Sequence, residues 1–278
     1  MHFNFHFTAV QTLWTLTFST LLVLLVVLFG RDRARRFPWF TASIVLVTLR
    51  LLSNRLLFGR LSQLTMGTIF IVMADLSAII ALLVVVEMAR GAFGRASRRC
   101  WTIAGLVLLA IGGIVLWKWG PWPAWKSLAF DTPLAKLQVL QLLAQKTGLL
   151  GDVLIIGLGV LVVAFGRRYG AGWRSHVQQI VIGLSTASLS QILAQVIWQV
   201  IVRTAGQPHS EAEYLRIVGL RDKLFNANSV VYIAVVIWWI VCLWIDEPGT
   251  ARPAAEGVAA DTAINAKAAG ELPENIEE

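Results

Sequence analysis

The sequence predicts an all-α membrane protein: a polytopic bundle of seven transmembrane helices, with the N-terminus outside and the C-terminus cytoplasmic. Hydrophobic residues make up 57% of the 278 positions and charged residues only 14%, whereas roughly a quarter of the residues in a soluble domain are charged. Seven stretches are predominantly apolar over the roughly 17–25 residues that a helical span requires. Arginines also cluster in short segments between alternate stretches, which is typical of cytoplasmic loops.

The predicted spans occupy residues 1–247, which we interpret as one transmembrane domain. They lie near residues 8–29, 38–58, 66–89, 101–118, 148–166, 177–201 and 227–246. The tail, 248–278, is rich in Ala, Pro, Gly and acidic residues and has almost no large apolar side chains. This composition predicts a disordered cytoplasmic tail, because such a segment cannot bury enough apolar surface to fold.

The first span has no Lys or Arg before its apolar run. A secretory signal needs such a positive region, so we interpret this segment as a retained span. Its first half carries a polar stripe at helical spacing. The stripe consists of Thr8, Gln11, Thr12, Thr15 and Ser19.

Three arginine-rich connections determine the predicted orientation. They follow the first, third and fifth spans and contain Arg31, Arg33, Arg35 and Arg36, then Arg90, Arg95, Arg98 and Arg99, then Arg167, Arg168 and Arg174. The longer loops on the other side hold a similar total positive charge at lower density. Short loops are where the positive-inside rule is reliable, so the arginine-rich side is predicted to be cytoplasmic.

Two connections on the outer side contain helix-start patterns. Thr132 followed by Pro133 opens a leucine-rich segment, 134–143, which is either an interfacial amphipathic helix or an outer extension of the fifth span. Ser210 and Glu213 form a capping-box pattern. The polar helix that follows them can run directly into the seventh span.

Two ionisable residues lie inside the second and third spans. Arg50 and Asp75 are almost equally far from the turn near residue 62, and each lies roughly 12–14 Å from the outer ends at about 1.5 Å per residue. The two side chains can therefore meet. Either they form a structural ion pair that fixes helix register, or they contact a ligand or ion, since charged residues in spans are expensive and often functional.

Polar residues of the sixth span share one helix face. Ser188, Gln191, Gln195 and Gln199 follow steps of three and four residues. Such amides either join helices by hydrogen bonds or form the wall of a hydrated pocket.

The predicted ligand or ion-pair residues all fall in the outer halves of their spans. They are Arg50, Asn54, Asp75, Asp152, Gln191, Gln195 and Tyr232. Residues that only join helices have no reason to be confined to one half of the membrane. Residues that line a cavity open to the outside would be, and small-molecule sites lie between bundle helices.

Several chemistries find no support in the sequence. It contains no Gly-rich phosphate loop, GxSxG, HExxH or CxxC motif, and no lysine in the seventh span for a Schiff base. We expect no enzyme activity, no cofactor, no metal at His2 and His6, and no disulfide between Cys100 and Cys242. The net charge of +8 reflects membrane topology and contact with anionic lipid rather than nucleic-acid binding.

We therefore expect a ligand-binding or sensor-like protein of the cell membrane, placed in a bacterial inner membrane. Its polar pocket would lie in the outer half of the bundle. A sensor of this kind needs a partner protein, because the sequence offers only arginine loops and an acidic tail as cytoplasmic surfaces. The alternatives are a small-solute or ion transporter and a structural or assembly subunit.

Overall fold

The computed structural model describes residues 8–57, 60–94, 98–120, 122, 133–169, 175–205 and 210–246. These ranges contain eight α-helices and no strand. The helices are α1 (Ala9–Gly30), α2 (Arg33–Arg36), α3 (Pro38–Leu57), α4 (Gln63–Phe93), α5 (Arg98–Lys118), α6 (Pro133–Phe165), α7 (His176–Ala205) and α8 (Glu211–Trp244), and a 3-10 turn (Gly166–Tyr169) follows α6. The predicted tail, 248–278, lies outside the described residues.

Six of these helices are long and apolar enough to cross a membrane, namely α1, α3, α4, α6, α7 and α8. The apolar part of α5, Thr102–Lys118, is shorter. The chain is therefore an all-helical, multi-pass membrane protein. Within the described ranges, each predicted span coincides with one of these helices or a part of it.

Three helices begin with a side-chain cap, as their sequences suggest. The Thr8 hydroxyl accepts a hydrogen bond from the Gln11 backbone N–H, and the Gln11 side chain accepts one from the Thr8 backbone in return. Ser62 and Ser210 accept from the third residue of α4 and α8 respectively. Each cap satisfies one of the free N–H groups at a helix start.

The structure decides between the two alternatives for residues 134–143 and shows how the helix after Ser210 continues. Residues 134–143 belong to α6, one continuous helix of 33 residues, so they extend the fifth predicted span. Likewise, α8 runs without a break for 34 residues from the polar segment after Ser210 to Trp244.

The six long helices form a closed ring. Neighbours pack in the order α1, α3, α4, α6, α7 and α8, and α8 packs back onto α1. α5 packs against α6 from outside the ring. The buried Lys146 ammonium of α6 fastens it there by donating to the Leu116, Trp119 and Gly120 carbonyls at the C-terminal end of α5, where a cation is favourable.

The ring has two unlike halves. A hydrophobic core fills the half that contains the C-terminal parts of α1, α4, α6 and α8 and the N-terminal parts of α3 and α7; we name it the core half. Its members include Leu24, Phe40, Met88, Val162, Ile180 and Trp239. We name the opposite half the cavity half.

Two polar contacts join helix ends in the core half. The Glu87 carboxylate of α4 accepts the backbone N–H groups of Trp39 (3.1 Å) and Phe40 (2.9 Å) at the start of α3. His176 Nε2 lies 2.9 Å from the Ile245 carbonyl oxygen at the end of α8. Backbone N–H and C=O groups at helix ends have no hydrogen-bond partner within their own helix. These two side chains provide the partners, which lipid cannot supply.

Candidate functional site

A cavity of about 940 Å³ lies inside the ring, in the cavity half. All six ring helices contribute to its wall. Its size falls within the roughly 300–1,000 Å³ range of small-molecule sites. The two halves of the bundle differ, since the cavity lies in one and most of the packed core lies in the other.

The floor of the cavity is formed by Trp239, whose indole is 1% exposed. The ring stacks edge-to-face on Phe40, with ring centroids 5.1 Å apart, in an arrangement that aromatic pairs favour. Gly183 of α7 lies directly against the indole, and a Cβ atom there would overlap it. The floor is therefore fixed on two sides by close packing.

The deep part of the wall is mostly apolar. Ile44, Val84, Ile155 and Leu184 surround the cavity next to the Trp239 floor. These residues come from four different helices. A ligand that reaches this part of the cavity meets mostly apolar side chains.

Two charged residues line the cavity, Arg50 of α3 and Asp152 of α6. The Asp152 carboxylate accepts a hydrogen bond of 2.7 Å from the Ser188 hydroxyl of α7. Arg50 is exposed and makes no hydrogen bond or ion pair with another residue that the structure describes. The cavity thus holds one engaged carboxylate and one guanidinium that is available to a ligand.

A short hydrogen-bond chain crosses between α7 and α8 at the same level. Ser190 donates to the Asn228 side-chain oxygen, and the Asn228 amide donates to the Gln191 side-chain oxygen, both at 2.7 Å. Gln191 and Asn228 both line the cavity. The polar face of α7 therefore joins helices and forms a cavity wall, so the two interpretations of this stripe are compatible.

The structure brings five of the seven predicted site residues to one cavity. They are Arg50, Asn54, Asp152, Gln191 and Tyr232. Gln195 lies one helical turn beyond Gln191 on the same face, and the cavity wall does not include it. A ligand role for Gln195 stays a prediction without a geometric partner.

Asp75 is the second predicted residue outside the cavity wall. α4 faces the cavity with Phe70, Ser77 and Ala81, and at about 100° per residue Asp75 lies roughly 140° away around the helix. Both Arg50 and Asp75 are described, and no ion pair joins them. Their similar depth allows contact, but the rotation of α4 turns one of them away.

The polar stripe of α1 also faces away from the cavity. The cavity wall takes Val10, Leu13, Trp14 and Thr17 from this helix, which lie on the side opposite the stripe. The stripe hydroxyls bond to their own helix instead, as Thr15 does to the Gln11 carbonyl at 2.9 Å. A threonine can satisfy its hydroxyl in this way without any neighbouring helix.

Sequence reasoning missed an important part of the site at the start of the seventh span. Asn226, Asn228 and Ser229 line the cavity next to Tyr232. The spacing of Asn228, Ser229 and Tyr232 places them on one helical face, so this cluster was recognisable. The floor was not, since the packing of Gly183 against Trp239 joins positions far apart in sequence.

No family model matches the chain, and the comparisons with curated proteins and with solved structures found no match.

Proposed function

We propose that the chain is a ligand-binding, sensor-like membrane protein whose ligand occupies the cavity. The observation that supports this proposal is the cavity itself, with an apolar floor at Trp239 and convergent polar groups from α3, α6, α7 and α8. Apolar pockets with a few placed polar groups are typical of small-molecule sites.

We further propose seven membrane crossings, with the N-terminus outside and the C-terminus cytoplasmic. Helix directions support seven. α4 and α6 both run from the cavity half to the core half, since their lower-numbered residues Ser77 and Asp152 line the cavity and their higher-numbered Met88 and Val162 lie in the core. α5 runs antiparallel to α6, because Leu108 meets Gly157 and Gly112 meets Leu150. These directions support α5 as the crossing that returns the chain to the cavity half.

The described arginines Arg31, Arg90 and Arg168 support the proposed orientation, because they lie at helix ends that flank the core half. The positive-inside rule assigns such segments to the cytoplasm. The cavity half is then the outer half. We place the protein in a bacterial inner membrane on the strength of these short loops alone, and we propose that a partner protein receives the signal there. We propose no catalytic role.

No specific observation favours either alternative, a transporter or a structural subunit. A transporter needs a path through the core half, and the described residues there form a continuous apolar core around Leu24, Phe40 and Trp239. A purely structural subunit has no need of a cavity of about 940 Å³.

Thiol labelling tests whether the cavity is open to an external ligand. Gln191→Cys would be introduced into protein in which Cys100 and Cys242 are replaced by Ser, and intact cells would be treated with a membrane-impermeant maleimide. We expect Gln191→Cys to be labelled from outside, because Gln191 lines the cavity.

Leu193→Cys on the same helix is the matched control. Leu193 is 51% exposed on the outer surface of the ring, where lipid and not water would surround it. We expect no labelling there, while Glu211→Cys at the start of α8 should label fully. An unlabelled Gln191→Cys beside a labelled Glu211→Cys would contradict the proposed function.

A further inference from the structure

The cavity changes character with depth. Arg50, Asn54 and Asn228 lie towards the open end, whereas Ile44, Val84 and Trp239 lie at the floor. Along α3, ten residues separate Asn54 from Ile44, a distance of about 15 Å at 1.5 Å per residue. A ligand that matches this wall is polar towards the open end and apolar where it meets the floor, since Asp152 and Ser188 add polar groups at mid-depth.

The floor is closed against further penetration. Trp239 is held between Phe40 and Gly183, and Val236 and Leu243 on the same face of α8 are fully buried. An apolar chain that enters the cavity must therefore end at the indole. A large indole face makes a favourable contact with a methyl or methylene group.

The charge at the polar end favours an anion. Arg50 is the cationic residue of the wall and has no partner among the described residues. Asp152, the acidic residue of the wall, already accepts the Ser188 hydroxyl. Guanidinium groups bind carboxylate and phosphate oxygens through paired N–H donors.

From these observations we propose that the cavity binds a single-chain amphiphile with an anionic head, such as a long-chain carboxylate. The head contacts Arg50, with Asn54 and Asn228 beside it, and the chain extends to Trp239. This inference rests on the proposed function, since it names the ligand class of the same cavity.

Photolabelling of the full-length protein in lipid nanodiscs tests this inference. The probe is a long-chain carboxylate with a diazirine on its terminal carbon, and peptide mass spectrometry locates the adducts. We expect saturable adducts at the floor, on Trp239, Val84 or Leu184. We expect Arg50→Gln to weaken the apparent affinity by at least about tenfold, because a charge-assisted contact is lost.

Arg55→Gln is the matched control, since Arg55 is an exposed arginine of α3 that does not line the cavity. It should leave floor labelling unchanged. Arg50→Lys keeps the charge and should retain most of the labelling. Competition on the unaltered protein needs no variant at all: the unlabelled carboxylate should displace the probe, and the alcohol of the same chain should be at least about tenfold weaker.

Three results would overturn the inference. They are equal competition by the alcohol, stronger competition by the amine of the same chain or by a two-chain anionic phospholipid, and adducts confined to outer-surface residues such as Val72 and Ile79. If the maleimide reaches Gln191→Cys but the probe leaves the floor unlabelled, the ligand class is wrong and the proposed function stands. If neither reagent enters, both fail.

Discussion

At the scale of single residues, the cavity depends on one close contact, between Gly183 and Trp239. The glycine allows α7 to approach the indole so closely that any Cβ would overlap it. Phe40 holds the other side of the ring, so the indole has little freedom to shift. We expect this pair to determine how deep the cavity is.

Gly183→Ala tests the contact. Because the rigid indole cannot yield, we expect the variant to be less stable by about 1–3 kcal/mol, the usual cost of overpacking a core. Gly219→Ala in α8 is the matched control, since nothing lies within 4 Å of a Cβ there, and it should be neutral or stabilising. The apparent melting temperatures of both variants, measured in nanodiscs, decide the point; equal values would show that Trp239 is free to move.

Residue chemistry was predictable from the sequence to a limited extent. Arg50, Asn54, Asp152, Gln191 and Tyr232 were identified because polar groups within apolar spans stand out. The rotation of each helix about its own axis was not predictable. Lipid and protein interior are equally apolar, so hydropathy does not reveal which side of a helix meets a neighbour. The sequence could therefore suggest a contact of Arg50 with Asp75, which the structure does not form, because α4 turns Asp75 away from the cavity.

At the scale of helices, the seven long helices followed from hydropathy, whereas the short helix α2 (Arg33–Arg36) did not. α8 begins after Ser210, as the capping pattern indicates. The packing of α5 outside the ring did not follow, because its sequence is as apolar as that of the ring helices. Contacts made by side chains of neighbouring helices, such as Glu87 with the start of α3, depend on this three-dimensional order.

Glu87→Ala tests the contact between α4 and α3. It leaves the Trp39 and Phe40 N–H groups without their acceptor, so we expect a loss of about 1–3 kcal/mol in the stability of the bundle. Glu211→Ala, at an exposed position in the first turn of α8, should have a much smaller effect. Thermal unfolding followed by size-exclusion chromatography compares the stability of the two variants. If Glu87→Ala is as stable as the unaltered protein, water replaces the carboxylate and the prediction is wrong.

At the scale of the whole molecule, the ring of six helices is open at one end and packed at the other. The clustering of polar residues in one half of the predicted spans indicates this asymmetry from sequence. The closure of α8 onto α1 joins the two ends of the bundle, and no local sequence pattern encodes a contact of that range.

The most direct test of this account is an accessibility profile along the inner face of α8. Ser229→Cys and Val236→Cys lie two helical turns apart, the first on the cavity wall and the second fully buried in the core. In cysteine-free protein we expect an impermeant maleimide to label Ser229→Cys from the outer side, and to leave Val236→Cys unlabelled from either side. An unlabelled Ser229→Cys, or a Val236→Cys that reacts from the cytoplasmic side, would contradict a cavity that is closed at Trp239.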